Sequence, residues 1–464
     1  MDATQRVDLA IRGGVIVTAS SSYRADIGVR DGRITQIGGD FSADQEIDAN
    51  GKLVLPGGID MHVHLTAASL PEGGEVRWAD DFESGTRAAV AGGITTVGNI
   101  TFPRPGEGLL DLVGRTSEEA ERAALVDFIL HPVLLDPSPS VLDELPKLAR
   151  RGHTSVKIFM VLSIFDGRAP EFLRAMRLAG QFGMLPLVHC EDGCIIGHLT
   201  ERLLSSGRTG PEAYPASRPV FSEEVAVTRV IGFAESAETP VYVVHLSSSA
   251  ALEACHRARA RGVPIYVETR PLYLYLTEEC FSEPDGAKYV GQPPLRSDAD
   301  VQALWNGLWA GDIQTFCTDH APWTLEEKLD PELTIETFRP GVADLDTLLP
   351  MLFSEGVGKN RISLHRFVEV TSTNAARLFG LFPRKGTIAV GSDADLTIWD
   401  PDETRPVDSR RTQTSANFSP YEGWPITGWP SVTISNGEVV FADGEVVGTP
   451  GRGKLLVRGP YQML

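Results

Sequence analysis

Residues 53–64, LVLPGGIDMHVH, are the point at which the chain changes its grammar. A short apolar run there ends in two histidines separated by one residue. Seven further runs of the same kind follow: GGITTVGNI (92–100), LVDFILHP (125–132), TSVKIFM (154–160), MLPLVHC (184–190), VYVVHLS (241–247), PIYVETR (264–270) and QTFCTDH (314–320). Amphipathic segments separate them, among them FESGTRAAVAGG (82–93), VLDELPKLARRG (141–152), EFLRAMRLAGQFG (171–183) and SAALEACHRARARG (249–262). Continuous Val/Ile-rich runs read as strands buried on both faces, and strand–helix alternation implies parallel βαβ units. Eight such units are the count of a closed ring, so the sequence predicts an α/β fold, a (β/α)8 TIM barrel over residues 56–385.

Outside this region the pattern is different on both sides. VDLAIRGGVIVT (7–18), ADIGVRDGRITQIG (25–38) and QEIDANGKLVLPG (45–57) alternate apolar and polar residues around Gly-Gly, Asp-Gly and Asn-Gly turns. After the eighth run come helical patterns, LDTLLPMLFSEGV (345–357) and SLHRFVEVTSTNAARLFGLF (363–382). Alternation then returns in GTIAVGSDADLTIWDP (386–401) and SVTISNGEVVFADGEVV (431–447). The simplest organisation is one composite β-sandwich built from 1–55 and 386–447, with the barrel inserted between them. Residues 448–464 are expected to form a tail that packs on something, a neighbouring subunit being one candidate.

Composition narrows the partners. The 464 residues are 42% hydrophobic and 22% charged, as in a soluble globular protein. A net charge of −20 argues against a nucleic-acid partner. No apolar run approaches the roughly 18 residues of a membrane span, and MDATQRVDLAIRGG has no apolar signal core. The five cysteines, Cys190, Cys194, Cys255, Cys280 and Cys317, are odd in number and contain no C-x-x-C pair. That pattern suits a reducing compartment, and the cytoplasm is the expected location.

Polar residues interrupt the apolar runs at telling places. His62 and His64 end the first, Lys157 lies within the fourth, His189 ends the fifth, His245 the sixth, and Asp319 with His320 the eighth. In such barrels the strand C-termini form the active-site mouth. Residues two apart on a strand share a side, so His62 and His64 can meet one metal. A lone His-x-His pair is equally read as two strand-end histidines bonded to loops, and His189 or His245 alone as a satisfied core histidine. At equivalent strand ends the four nitrogens together suit zinc, and also iron, manganese, cobalt or nickel. Lys157 is expensive to bury as an ammonium and has no lone pair in that form. It is either ion-paired, Glu191 and Asp319 being the nearest candidates in sequence pattern, or carboxylated by CO2 to a carbamate able to bridge two metals. Asp319 is either a loop cap before Pro322 or a metal ligand that accepts a proton from a metal-activated water.

The set GGIDMHVHL, SVKIFM, VHCED, VVHLSS and CTDHAP resembles the amidohydrolase superfamily, and within it the hydantoinase/dihydropyrimidinase family of cyclic amidases. The resemblance runs through nearly the whole chain, in FESGTRAAVAGGITTV, LLSSGRTGPEAYPASRP, RGVPIYVET, PPLRSDADVQALWNGL, LFGLFPRKGTIAVGSDADL and GRGKLL. It implies two divalent metal ions per subunit, zinc as the usual metal, His62 and His64 on the first, His189 and His245 on the second. It implies N6-carboxylated Lys157 bridging both and Asp319 as ligand and general base. It further implies a homotetramer and a small cyclic amide or ureide as substrate, opened by a metal-bridging hydroxide.

The substrate side departs from the family. Where the family has a tyrosine donor five residues after the bridging lysine, this sequence has Leu162; a family serine before P-P-L-R is Gln292, and a family asparagine is Pro340. Leu162, Gln292 and Pro340 are therefore the candidate substrate-binding positions, the last two through backbone groups. Ser163 is a candidate replacement donor for the missing tyrosine. Thr66 stands where dihydroorotases and allantoinases carry arginine after H-x-H-L, so those activities fit less well. The alternatives are the same machinery on another amide, allantoinase-, dihydroorotase- or imidase-like, or a non-catalytic scaffold, which six retained ligands disfavour.

Overall fold

The structure, a computed structural model, describes residues 5–69 and 74–464; the first four residues of the expected N-terminal unit lie outside it. All eight apolar runs form strands: β1 Gly58–Val63, β2 Ile94–Thr101, β3 Asp127–Pro132, β4 Ser155–Phe159, β5 Leu185–His189, β6 Val241–Val243, β7 Ile265–Thr269 and β8 Thr315–Phe316. They pair in parallel as a three-stranded sheet, β3-β2-β1, and a five-stranded sheet in sequence order from β4 to β8. The expected closed ring is not one continuous ladder. Among the described residues the backbone pairing between the two sheets is reduced to isolated parallel bridges, Val133 with Lys157 at one seam and Val63 with His320 at the other. At the second seam β8 is two residues long, and Asp319 takes a left-handed φ of 50°, which turns the backbone out of the strand conformation.

Helices cover these strands because their apolar residues recur at helical spacing. In Phe82–Ala91 the buried side is Phe82, Gly85, Thr86, Ala88, Ala89 and Val90. Asp81 starts that helix by accepting from the amides of Glu83 and Ser84, a capping box worth about 1 kcal/mol.

Residues 53–64, read as one strand, are two. Leu53–Pro56 pairs antiparallel with Leu396–Trp399 in a different sheet, and the inner strand begins only at Gly58. The break is steric: a Cβ on Gly57 would lie 2.2 Å from Thr95 Oγ1, so the chain passes there only as glycine.

Both ends of the chain build a two-sheet unit. One sheet has four N-terminal strands; the other has seven, mixing Val15–Val17, Ser22–Arg24 and Leu53–Pro56 with Leu396–Pro406, Pro425–Ser435, Glu438–Ala442 and Glu445–Val446. They share a core of Leu9, Ile11, Ile27 and Ile34 against Val54, Leu396, Ile398 and Ile434. Asp31-Gly32 and Asn436-Gly437 make turns with both residues at positive φ, the geometry that suits a tight hairpin. Lys385 ties this unit to β3: its buried ammonium lies 2.8 Å from Asp127 and 3.3 Å from Asp393, and also pairs with Asp395. These carboxylates raise the Lys385 pKa against the effect of burial.

The tail runs along its own chain, at the end of the strands opposite the histidines. Phe128 N donates to Lys454 O at 3.0 Å, Leu456 N to Phe128 O at 2.9 Å, and Thr154 Oγ1 to Gly459 O at 2.9 Å. Leu456 and Arg458 are buried there.

Candidate functional site

The strand C-termini place the candidate residues around one centre. His62 and His64 are both buried and direct Nε2 inward: these atoms lie 3.3 Å and 3.0 Å from Asp319 Oδ1. The three ligand atoms all lie within 4.8 Å of one another. Across the mouth, His189 Nδ1 and His245 Nε2 are 3.0 Å apart. Lys157 Nζ lies 3.3 Å from His62 Nε2, between the two groups. His320, from the same strand end as Asp319, turns away, to Asp80 at 2.8 Å, and stays outside the centre.

Neighbouring carboxylates select the ring nitrogen that faces inward. His62 Nδ1–H donates to Glu268 at 2.7 Å, leaving Nε2 its lone pair. His189 Nε2–H donates to Glu191 at 2.9 Å, leaving Nδ1 free. Glu268 also accepts from Tyr242 OH at 2.8 Å and His245 N at 2.9 Å; Glu191 accepts from Arg218 at 2.5 Å. Such outer contacts fix tautomer and orientation in metal-binding histidines. Burial lowers His64 to about 4, and it lowers His189 and His245 as well, so these rings are neutral at physiological pH.

Asp319 is the anionic member. Burial pushes its carboxyl up, but the His62 ring, the Arg270 guanidinium and the His64 hydrogen bond outweigh it and hold it well below the ordinary range. Arg270, fully buried, pairs with Asp319 Oδ2 and leaves Oδ1 to the histidines. Asp319 and His245 both have positive φ, 50° and 38°, a strained backbone of the kind kept at functional sites.

Lys157 is buried with its Nζ over the Phe159 ring at 4.9 Å. Neither Glu191 nor Asp319 pairs with it: among the described residues it makes no ion pair, Glu191 being held by Arg218 and Asp319 by Arg270. Burial lowers its ammonium to about 8, with Asp319 and Glu268 opposing. The donor set therefore fits divalent cations: imidazole nitrogens directed inward, an ionised carboxylate and an amine without an ion-pair partner among the described residues. His64 Nδ1 and His245 Nδ1, both buried, find no partner of their own among the described residues.

A cavity of about 450 Å³ opens over this centre. Leu162, Gln292 and Pro340 all line it, with Trp78, Phe102, Phe159, Trp323, Phe338 and Arg218. Leu162 is half-buried on an aromatic wall and precedes the short helix Ser163–Gly167. Ser163 is exposed and does not line the cavity, so it supplies no replacement donor; the guanidinium groups that line the cavity are those of Arg218 and Arg339. Thr66 is buried and accepts from Asn99 Nδ2 at 3.2 Å. The roles of Glu268, Arg270, Glu191 and Arg218 were missed in the sequence. Their only signal was position, Glu268 and Arg270 closing the seventh run and Glu191 following His189 by two.

Comparison with known proteins agrees with this arrangement. The model of the amidohydrolase family matches residues 198–440. The D-hydantoinase of Ralstonia pickettii is 37% identical over 463 residues, covering 98% of this chain and 100% of its own. That of Geobacillus stearothermophilus is 39% identical over 461 residues, covering 98% and 97%. The solved dihydropyrimidinase of Brevibacillus agri superposes with a TM-score of 0.92 at 34% identity, covering 98% of this chain and 99% of that one.

Proposed function

The chain belongs to the amidohydrolase family and is a metal-dependent cyclic amidase of the hydantoinase kind, and from that premise we propose how its own residues open the ring. The observation that carries the proposal is the convergence of four inward imidazole nitrogens, the ionised Asp319 and the unpaired Lys157 at one end of eight parallel strands. We read those strands as a (β/α)8 barrel closed through its two bridged seams. The unit at its side is read as a sandwich of both chain ends, over 1–55 and 386–447.

His62, His64 and Asp319 would hold one divalent ion and His189 and His245 a second, zinc being our assignment, with N6-carboxylated Lys157 shared between them. When bound, such ions supply hydroxide at neutral pH and polarise an amide carbonyl. Carboxylation joins Lys157 Nζ to the carbon of CO2 with loss of one proton, giving an anionic carbamate. It needs the neutral amine, which burial makes available near pH 8.

Asp319 then does the proton work. Arg270 pins Oδ2, so Oδ1 takes the proton from the attacking water and delivers it to the ring nitrogen as the C–N bond breaks. A cyclic ureide yields an N-carbamoyl acid. Backbone groups of Gln292 and Pro340 would face the ring; Pro340 O is already oriented by Trp323 Nε1 at 2.8 Å. Leu162 adds no donor where the family has a tyrosine hydroxyl, and it extends a wall made of Trp78, Phe102 and Phe159. The preferred substrate is thus a cyclic amide with a hydrophobic substituent rather than bare dihydrouracil. We further propose a homotetramer and a cytoplasmic location; the five cysteines are unpaired, and no helix among the described residues is long and apolar enough to cross a membrane.

The test is a panel of dihydrouracil, hydantoin and an aryl-hydantoin with metal-loaded and chelator-stripped protein. The reading requires turnover that depends on metal and is highest for the aryl substrate. Metal-independent turnover would remove the metal site from the reaction; a preference for dihydrouracil would remove the substrate assignment alone.

A further inference from the structure

Among the described residues Lys328 has no charge partner, and it has no place in the chemistry above, yet it is buried to 1% exposure. It closes the short helix Leu325–Lys328, which Thr324 and Glu327 start with a reciprocal cap. From there its ammonium reaches three backbone carbonyls: Val290 O at 2.8 Å, Arg339 O at 2.8 Å and Gly341 O at 2.9 Å. Burial, with Arg270 nearby, pushes the Lys328 pKa well below its ordinary value, but three carbonyl acceptors call for three N–H donors, which only the ammonium has, so this geometry uses the charged group completely.

The three carbonyls belong to two segments far apart in sequence. Val290 lies two residues before Gln292, and Arg339 and Gly341 flank Pro340 on both sides. Gly341 N donates to Val290 O at 3.0 Å, so the two segments also touch directly. Gly341 sits at φ +110°, and a Cβ there would lie 2.3 Å from Ala321 O, so only glycine fits at this point of the loop. On its outer side Trp323 holds Pro340 O, and Arg339 stacks over Trp323 at 5.0 Å. The cavity is thus bounded on one side by two pieces of irregular backbone that one direct hydrogen bond and a single side chain from a third segment hold together.

We propose that Lys328 is a positioning residue for substrate: it holds the 290–292 and 339–341 segments at the separation a flat five- or six-membered ring requires. The proposal rests on the reading that Gln292 and Pro340 face the substrate. Lys328 touches neither substrate nor candidate metal ligand; it acts through the carbonyls it fixes. Irregular backbone left to itself samples many conformations, and a ring recognised by backbone groups binds only the fraction that has the right spacing. Removing the clamp therefore raises KM, with a smaller effect on kcat, and leaves the metal centre as it was.

The experiment compares wild type, Lys328→Met and Lys328→Arg as metal-loaded full-length protein. Metal content, melting temperature, and kcat and KM for hydantoin and an aryl-hydantoin are measured for each. Lys328→Met is expected to keep the wild-type metal content, raise KM at least tenfold and change kcat less than KM. Lys328→Arg keeps the charge but spreads its donors over a planar fork, so its KM falls between the other two. Equal losses in kcat and KM, or a KM within twofold of wild type in Lys328→Met, would overturn the proposal. So would failure of both variants to fold, since Lys328 would then be a framework residue. Gln292→Pro, which deletes the backbone N–H, and Pro340→Gly, which frees the backbone there, measured alongside separate the two readings. If they move KM and Lys328→Met does not, the clamp is wrong and the substrate side stands; if none moves KM, the substrate side itself is wrong.

Discussion

Replacing Asp319 by asparagine isolates the proton-transfer step from the structure that surrounds it. The amide has the shape of the carboxylate, and its oxygen can still accept from Arg270, so the buried guanidinium keeps a hydrogen-bond partner. What is lost is the negative charge and the ability to take a proton at Oδ1. The wild-type carboxyl is held well below its ordinary range, so it is ionised throughout the working range of the enzyme. The sign follows from that direction: a depressed carboxyl contributes stability above its unfolded pKa and loses it only as pH falls through the lower folded value. Between pH 6 and 9 the substitution therefore removes a charge that is always present, and a rate loss there cannot come from a changed titration of the wild type. Loss of a general base costs about 10²–10⁴ in rate, or about 3–5 kcal/mol of barrier at 1.36 kcal/mol per decade. Cutting the pair entirely, with Asp319→Ala, would add the cost of an unpaired buried arginine, about 3–5 kcal/mol of stability. The assay is kcat and kcat/KM at saturating metal from pH 6 to 9, with metal content and melting temperature for both variants. Asp319→Asn should keep most of its metal and its fold while losing at least a hundredfold in kcat. A kcat within threefold of wild type at full metal occupancy would refute the role assigned to Oδ1 and move the proton to another group.

Three further outcomes are expected. Lys157→Ala loses metal and activity together, and short carboxylic acids, which can occupy the carbamate's position, restore part of both; full metal content with normal turnover would end the bridging role. Leu162→Tyr returns a donor to the cavity wall, and since one oxyanion donor is worth about 10²–10³ in kcat, turnover of dihydrouracil should rise; no gain would mean that Leu162 does not face the reacting carbonyl. Burial lifts the Asp346 carboxyl from 3.8 to about 7, against a hydrogen bond from Gln413 N. A raised carboxyl costs folding stability progressively as pH climbs from about 4 to 7, so Asp346→Asn should stabilise the protein at pH 8, by at most about 4 kcal/mol, and not at pH 4; denaturant melts at the two pH values check it, and an equal effect at both would show that Asp346 does not titrate as described.

The amino-acid sequence by itself determined the order of elements and which residues stand at the strand ends. Both follow from local rules: an apolar run long enough for a strand, a helical repeat after it, and a side chain at its last turn toward solvent. His62, His64, His189, His245 and Asp319 were legible in this way, as was Lys157, an ammonium within the apolar run TSVKIFM. The tertiary structure decided what depends on distance through space. Leu53–Pro56 leaves the inner strand because its partner is Leu396–Trp399, more than three hundred residues away. Which nitrogen of His62 faces inward is set by Glu268, 206 residues on. The tail folds back because the Phe128 N–H and carbonyl and the Thr154 hydroxyl, all near strand starts, find their partners in Lys454, Leu456 and Gly459, which no pattern within 448–464 reveals. Lys328 reads in the sequence as an ordinary charged residue of LEEK, since its three acceptors are backbone carbonyls, and a carbonyl carries no residue type for a pattern to detect.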